Sequence, residues 1–267
     1  MLSSPWIAAL IALFAWWFST GVILFVVRRA DHSGGHLWAT LTNLPMLILG
    51  GVGLWYSAPL LTIEMVYLAF FSALLVWGWI EMAFLTGVIT GPNRTPLQGG
   101  EPEWERFLRA WGTVAYHEIV LVGVLIALLI FGASAANPFG VATFTLLFAA
   151  RVSAKLNLYL GVRKVNTEFI PTPLQHLPSH FREARVNWLF PTSVTALTFA
   201  VVMGIERAAQ APTLSLSVGY ALFTTMTALA LLEHWFMVLR LPDEKLWRWM
   251  LPKRPIKTPP GGPADAL

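Results

Sequence analysis

The chain has no cysteine and only three aspartates, Asp31, Asp243 and Asp265, among its 267 residues. The first absence excludes disulfides, thiolate metal ligands, cysteine-held iron–sulfur clusters and covalently attached c-type haem. The second excludes the paired Asp-rich motifs with which membrane prenyltransferases hold magnesium pyrophosphate. Charge of either sign is also scarce: 12% of residues are charged, against about 25% in a soluble domain. No P-loop, dinucleotide fingerprint or nucleophile elbow is present.

What the chain has instead is apolar length. It is 56% hydrophobic, with a mean hydropathy of +0.63. Pro5 to Val27 is a run of 23 residues without an ionisable side chain. A hydrocarbon core about 30 Å thick takes roughly 20 such residues in a helix, so this run spans a membrane. A soluble globular enzyme is excluded. The run is too long for a removable signal, and neither a basic leader nor a small-x-small cleavage site flanks it. Further apolar segments predict spans at about 41–60, 62–90, 106–132, 138–160, 188–209 and 213–240. Helix breakers at Ser57-Ala58-Pro59, Gly91-Pro92-Asn93, Asn137-Pro138 and Ala211-Pro212 support the cuts. The expected fold is an all-α, polytopic membrane protein with seven transmembrane helices in a single domain, 1–250. The tail 251–267, rich in proline and glycine, is expected to be disordered. No lysine occurs in the last span, so the retinal linkage of microbial rhodopsins is absent.

Lys and Arg set the expected orientation. With the amino terminus outside, fifteen of the eighteen fall in inner segments, Arg207 alone lies outside, and Arg151 and Lys155 lie within the fifth span. That asymmetry predicts amino terminus out and carboxyl terminus in. The formal charge of +4 is then a topology signal with some attraction to anionic lipid, not a mark of nucleic-acid binding.

Ionisable groups at bilayer depth are costly, and each is a candidate site by default. Glu81 lies in the third span, His117-Glu118 in the fourth, Arg151, Lys155 and Asn157 in the fifth, and Glu233-His234 in the seventh. From the predicted span ends, Glu81 is about 13 Å from the inner side, Glu118 about 18 Å and Glu233 about 10 Å. The fourth and seventh helices run in opposite directions and carry their Glu and His in opposite order, so the pairs match in depth. Three glutamates, two histidines and two cations at a common level predict a polar network, with Glu118 and Glu233 sharing Arg151. Lys155, nearer the surface, is able to snorkel.

Several chemistries stay open for this set. It suits a structural network that fixes helix register, or a proton relay. Glu81, His117, Glu118, Glu233 and His234 also form a ligand set that iron or zinc accepts, although adjacent Glu and His lack the Glu-x-x-His spacing of bundle di-iron sites. His117 or His234 is a natural axial ligand for a tetrapyrrole magnesium. The pairs His32/His36 and His176/His180 have metal-binding spacing, but Gly34-Gly35 and Pro178 argue against a helix at either.

Thirteen tryptophans are present, and Trp16, Trp17, Trp77, Trp79, Trp111 and Trp235 lie away from the span ends where an aromatic belt is expected. Trp77 precedes Glu81 by four residues and Trp111 precedes Glu118 by seven, so each is expected to share a helical face with its carboxylate. With Trp235 they are candidates to line a site for a flat apolar ligand. The inner segment 168–187, with three prolines and scattered large apolar residues, reads as an ordered surface loop.

The blocks Trp77-Gly78-Trp79-Ile80-Glu81-Met82-Ala83-Phe84-Leu85-Thr86-Gly87, Tyr116-His117-Glu118, the stretch from Arg151 to Val162, Asn187 to Ser193, and Glu233-His234-Trp235-Phe236 resemble the PuhE family. These are photosynthetic complex assembly proteins of purple bacteria, and the resemblance runs in order from about residue 5 to 250. It implies a protein of the bacterial inner membrane, cytoplasmic or intracytoplasmic, in contact with lipid and with components of reaction-centre or light-harvesting assembly. It also implies a link to the supply of bacteriochlorophyll or a precursor, but no catalytic mechanism. Three functions compete: a non-enzymatic assembly factor that holds pigment, a membrane metalloenzyme acting on an apolar or tetrapyrrole substrate, and a proton-coupled carrier of a tetrapyrrole precursor.

Overall fold

The structure is a computed structural model that describes residues 2–239 and 243–247. Among them are nine α-helices: α1 (Pro5–Ser33), α2 (His36–Thr42), α3 (Leu44–Ser57), α4 (Ile63–Leu85), α5 (Glu103–Gly112), α6 (Ala115–Gly132), α7 (Phe139–Leu160), α8 (Leu189–Ala209) and α9 (Leu214–Phe236). With α2 and α3 taken as one bent rod, seven are long and apolar enough to cross a membrane. In hydrocarbon a helix satisfies its backbone internally, so apolar runs of this length have no other stable form. Thr62 and Thr213 cap α4 and α9 by accepting from the backbone N–H of Met65 and Leu216. Pro45, which lacks an N–H, opens α3 and separates it from α2.

Helices α4 and α9 each carry more buried residues than any other helix and form the centre of the bundle. Small residues let the neighbouring helices approach them closely. A Cβ on Gly50 of α3 would lie 2.8 Å from the Ser72 carbonyl oxygen of α4, and one on Gly204 of α8 would lie 2.2 Å from Thr224 Oγ1 of α9. The core joins Phe70, Val66, Leu222, Met226 and Leu229 with Ala8 and Ala12 of α1.

One predicted span is interrupted. The segment expected to run from 106 to 132 is two helices, α5 and α6, parted at Thr113-Val114. The extended stretch 90–93 crosses the chain there: Asn93 N–H donates to the Gly112 carbonyl (3.0 Å) and His117 N–H to the Thr90 carbonyl (2.9 Å). A Cβ at Gly91 would lie 2.0 Å from the Gly112 oxygen, so only glycine permits the crossing. Helix α5 has no buried residue and exposes Trp104, Phe107, Leu108 and Trp111. Its charges pair along the helix, Arg106 with Glu103 and Arg109 with Glu105. It is an amphipathic helix of the kind that lies in a membrane interface.

The loop between α7 and α8 is ordered. Val162 bridges to Glu183 in parallel, and Leu174 and Leu177 are buried beside Phe84. Arg28 donates to the Glu168 carbonyl (3.0 Å), and Thr172 N–H donates to Asp31 (3.2 Å), which ties the loop to the end of α1. The pair His32/His36 does lie in helix, contrary to expectation: His32 is in the last turn of α1 and His36 begins α2, on either side of Gly34 at φ 70°. His36 bonds Asp31 (2.8 Å). The tail 251–267, expected to be disordered, lies outside the described residues.

Candidate ligand cavity

A cavity of about 1360 Å³ lies among α1, α4, α7 and α9. Its walls are apolar, including Phe71, Leu74, Trp77, Leu147, Met226 and Leu229. Leu10, Phe14 and Phe18 of α1 line it and are also exposed, so the space opens sideways past α1. Its floor, on the side that carries the basic connections, is built from Phe107 and Trp111 of α5 and Phe169, Leu174, Leu177 and His180 of the long loop.

Five of the eight predicted polar residues line this space: Glu81, Glu118, Arg151, Lys155 and Glu233. Arg151 Nη2 donates to Glu81 Oε2 at 2.8 Å, and His117 Nε2 stands 3.7 Å from Glu81 Oε1. Lys155 Nζ donates to Glu118 Oε1 and lies 5.4 Å above the Phe84 ring. Lys155 is thus held in the site and does not snorkel away. Trp16 Nε1 donates to Glu233 Oε1 at 2.9 Å.

This pairing corrects the expected one, in which Arg151 served Glu118 and Glu233. The break before Ala115 puts Glu118 in the first turn of α6, level with Lys155, a turn beyond Arg151. Arg151 and Lys155, four apart on α7, share a face, so each takes the carboxylate at its own height. Glu81 is four residues from the end of α4 and Glu233 three from the end of α9. Both stand nearer a helix end than the sequence reading placed them, because the predicted spans ran past the helix ends.

The two intramembrane histidines lie outside the cavity wall. His117 is fully buried behind Glu81, its ring 4.5 Å from Phe84, with no hydrogen bond at either nitrogen. His234 has both nitrogens engaged: Nδ1 donates to the Ala230 carbonyl (2.8 Å) and Nε2 accepts from the Ser153 hydroxyl (2.8 Å). Neither presents a free nitrogen to the cavity as an axial ligand requires. Asn157 is also elsewhere, donating to Ser193 Oγ (3.2 Å) and to the Ser153 carbonyl (2.9 Å). Asn187 donates to Asn157 Oδ1 (3.1 Å) and caps α8 by accepting from Leu189 N–H (2.8 Å). The five residues considered as a metal set are therefore dispersed, and among the described residues no three His, Asp or Glu side chains gather to hold an ion.

Of the candidate lining tryptophans, Trp77 and Trp111 face the cavity. Trp235 does not: it packs edge-on against Phe190 at 5.6 Å. Trp111 is in α5, so it does not share a helix with Glu118. Trp16 is the residue missed, and its signal was present: an indole N–H in the middle of an apolar helix needs an acceptor.

The fold and the cavity define a multi-pass helical membrane protein whose buried charges face an apolar chamber open to the bilayer. The family described as "Protein of unknown function (DUF3623)" matches residues 2–258, and the chain belongs to it. It is similar to an "Uncharacterized 30.4 kDa protein in puhA 5'region" of Rhodobacter capsulatus, 53% identical over 253 residues, covering 94% of this chain and 92% of that protein. No solved structure matches the chain.

Proposed function

We propose that this protein is a PuhE-type assembly factor of the photosynthetic reaction centre, holding a flat apolar pigment in the chamber between α1, α4, α7 and α9. The observation that carries the reading is the chamber itself. At about 1360 Å³ it exceeds the roughly 300–1,000 Å³ of ordinary small-molecule sites. It is walled by aliphatic and aromatic side chains, opens toward lipid, and keeps its polar groups at one end. That is the outline of an amphipathic ring system with a long tail, such as bacteriochlorophyll or a precursor. The position of the Rhodobacter relative in the puhA 5' region, a reaction-centre gene neighbourhood, supports a role in assembling that complex in a bacterial photosynthetic membrane, with the amino terminus outside.

The role is storage or delivery rather than catalysis. Arg151 and Lys155 are each neutralised by a carboxylate, so these two pairs shape and polarise the chamber.

The test is the absorption spectrum of protein purified in mild detergent from pigment-producing cells. Wild type co-purifies with a porphyrin-like chromophore, and Ala150→Phe, which fills the chamber wall, loses it while keeping its thermal transition. Colourless wild-type protein from such cells overturns the proposal.

A further inference from the structure

Charge is unevenly distributed around the chamber. Glu81 and Glu118 each hold a cation of α7. Glu233 lines the same chamber, yet among the described residues it forms no ion pair, and its one hydrogen bond comes from the Trp16 indole. Trp16 is the twelfth of the 23 uncharged residues from Pro5 to Val27, so the carboxylate is held well inside the apolar run. An acidic group at such depth costs free energy unless a partner meets it. The side chain is exposed to the chamber rather than sealed in the core. The side chain therefore lines the space that a ligand would fill.

We propose that Glu233, oriented by Trp16, is the polar anchor of the chamber and selects a ligand whose polar end is a cation or strong hydrogen-bond donor. An anionic end is disfavoured, because it brings like charge to Glu233 while Arg151 and Lys155 are already paired. This rests on the chamber reading and narrows it: a free-acid tetrapyrrole, whose propionate is anionic, is disfavoured against a ring whose acid is esterified. It assigns Glu233 a binding role separate from the Glu81–Arg151 pair, and makes Trp16 a positioning residue. Trp16 fixes one carboxylate oxygen and leaves the other for the ligand.

The test uses the full chain in phosphatidylcholine nanodiscs, in mildly alkaline buffer, with three nitroxide-labelled C18 probes: stearylamine, stearyl alcohol and stearate. The readout is the immobilised component of the electron paramagnetic resonance spectrum above that of Ala150→Phe. Stearylamine is expected to bind about tenfold more tightly than stearate, the scale of one charge-assisted hydrogen bond. Glu233→Gln should abolish that preference and leave the alcohol unchanged, and Trp16→Phe should reduce the preference by about half on a logarithmic scale. Equal binding of amine and acid, or a preference that survives Glu233→Gln, overturns the anchor. If no probe exceeds the Ala150→Phe baseline, the chamber reading fails as well. Alcohol binding without amine preference sinks the anchor alone.

Discussion

Helix α7 carries two polar clusters on opposite faces, and they are built to different standards. On one face, Ser153 and Asn157 join Ser193, Asn187 and His234 in a neutral ladder that ties α7 to α8 and α9. Asn157 and His234 are almost fully buried, and each of their ring or amide nitrogens has a partner. On the other face, Arg151 and Lys155 meet Glu81 and Glu118, and several buried atoms there have no hydrogen bond: Glu81 Oε1, Arg151 Nε and both nitrogens of His117. Buried polar groups are normally satisfied, and exceptions concentrate where a ligand, water or proton completes them. The first cluster holds helices together. The second is left open beside a chamber.

Removing one half of the open cluster should have the largest effect. Arg151→Leu leaves the Glu81 carboxylate buried and unpaired, a loss of about 3–5 kcal/mol. It is expected to abolish accumulation in the membrane, as read by immunoblot and by near-ultraviolet circular dichroism of purified protein. Adding Glu81→Gln should restore part of the loss, whereas adding Glu118→Gln should not. Rescue by Glu118→Gln would reverse the pairing described here. A smaller effect is expected in the neutral ladder. Asn157→Ala removes the amide that donates to Ser153 and Ser193 and accepts from Asn187, while Ser193 keeps Ser153 and Leu189 and Asn187 keeps the Gly161 carbonyl, a cost of about 1–2 kcal/mol. Its melting temperature should fall, yet pigment bound per folded molecule should not change. If pigment binding fell with Asn157 in protein that remains folded, the two faces of α7 would not be separable.

The long apolar runs made the helices legible in the sequence, and the cost of charge in hydrocarbon picked out Glu81, Glu118, Arg151, Lys155 and Glu233. Which carboxylate met which cation was not legible. That depends on where helices end, and the break between α5 and α6 lies where the stretch 90–93 crosses the chain at Gly91, a tertiary contact that local propensity does not encode. Reading 106–132 as continuous displaced Glu118 from Lys155 and put Trp111 on the wrong element. His117 and His234 looked alike as members of matching dipeptides. Tertiary contacts separated them, giving His234 two partners in the ladder and His117 none. Trp16 was overlooked because a tryptophan in an apolar run reads as packing unless its N–H is followed to an acceptor.

The chamber floor offers a finer test of the same division. Trp111 is exposed on α5 and lines the chamber, but it belongs to neither core cluster nor polar ladder. Trp111→Ala should therefore weaken binding of the neutral C18 alcohol by roughly three- to tenfold, the loss of one aromatic wall. Its thermal transition should match wild type within about 0.5 kcal/mol, as for a surface position. A large loss of stability would mean that α5 is a structural brace and not a floor.

The smallest effect belongs to two histidines of the long loop, His180 in the chamber floor and His176 beside it. Burial holds His176 below its ordinary value of 6.5, helped by His180 and Arg94 nearby. Burial likewise lowers His180, against the Thr95 carbonyl that accepts from its Nε2 and alongside Arg106 and Arg109; Glu101 opposes them. A lowered base is neutral in the folded loop, so the opened loop takes up protons first as pH falls. The loop's stability is therefore full above about pH 6.5 and declines below it until the folded histidines also protonate. Hydrogen exchange across 172–181, corrected for intrinsic rate, is expected to be faster below pH 6 than at pH 7.5. The double variant His176→Gln, His180→Gln should flatten that dependence. Flat exchange in the wild type would show that both imidazoles accept a proton in place, and that the floor of the chamber is as firmly built as the ladder on the far side of α7.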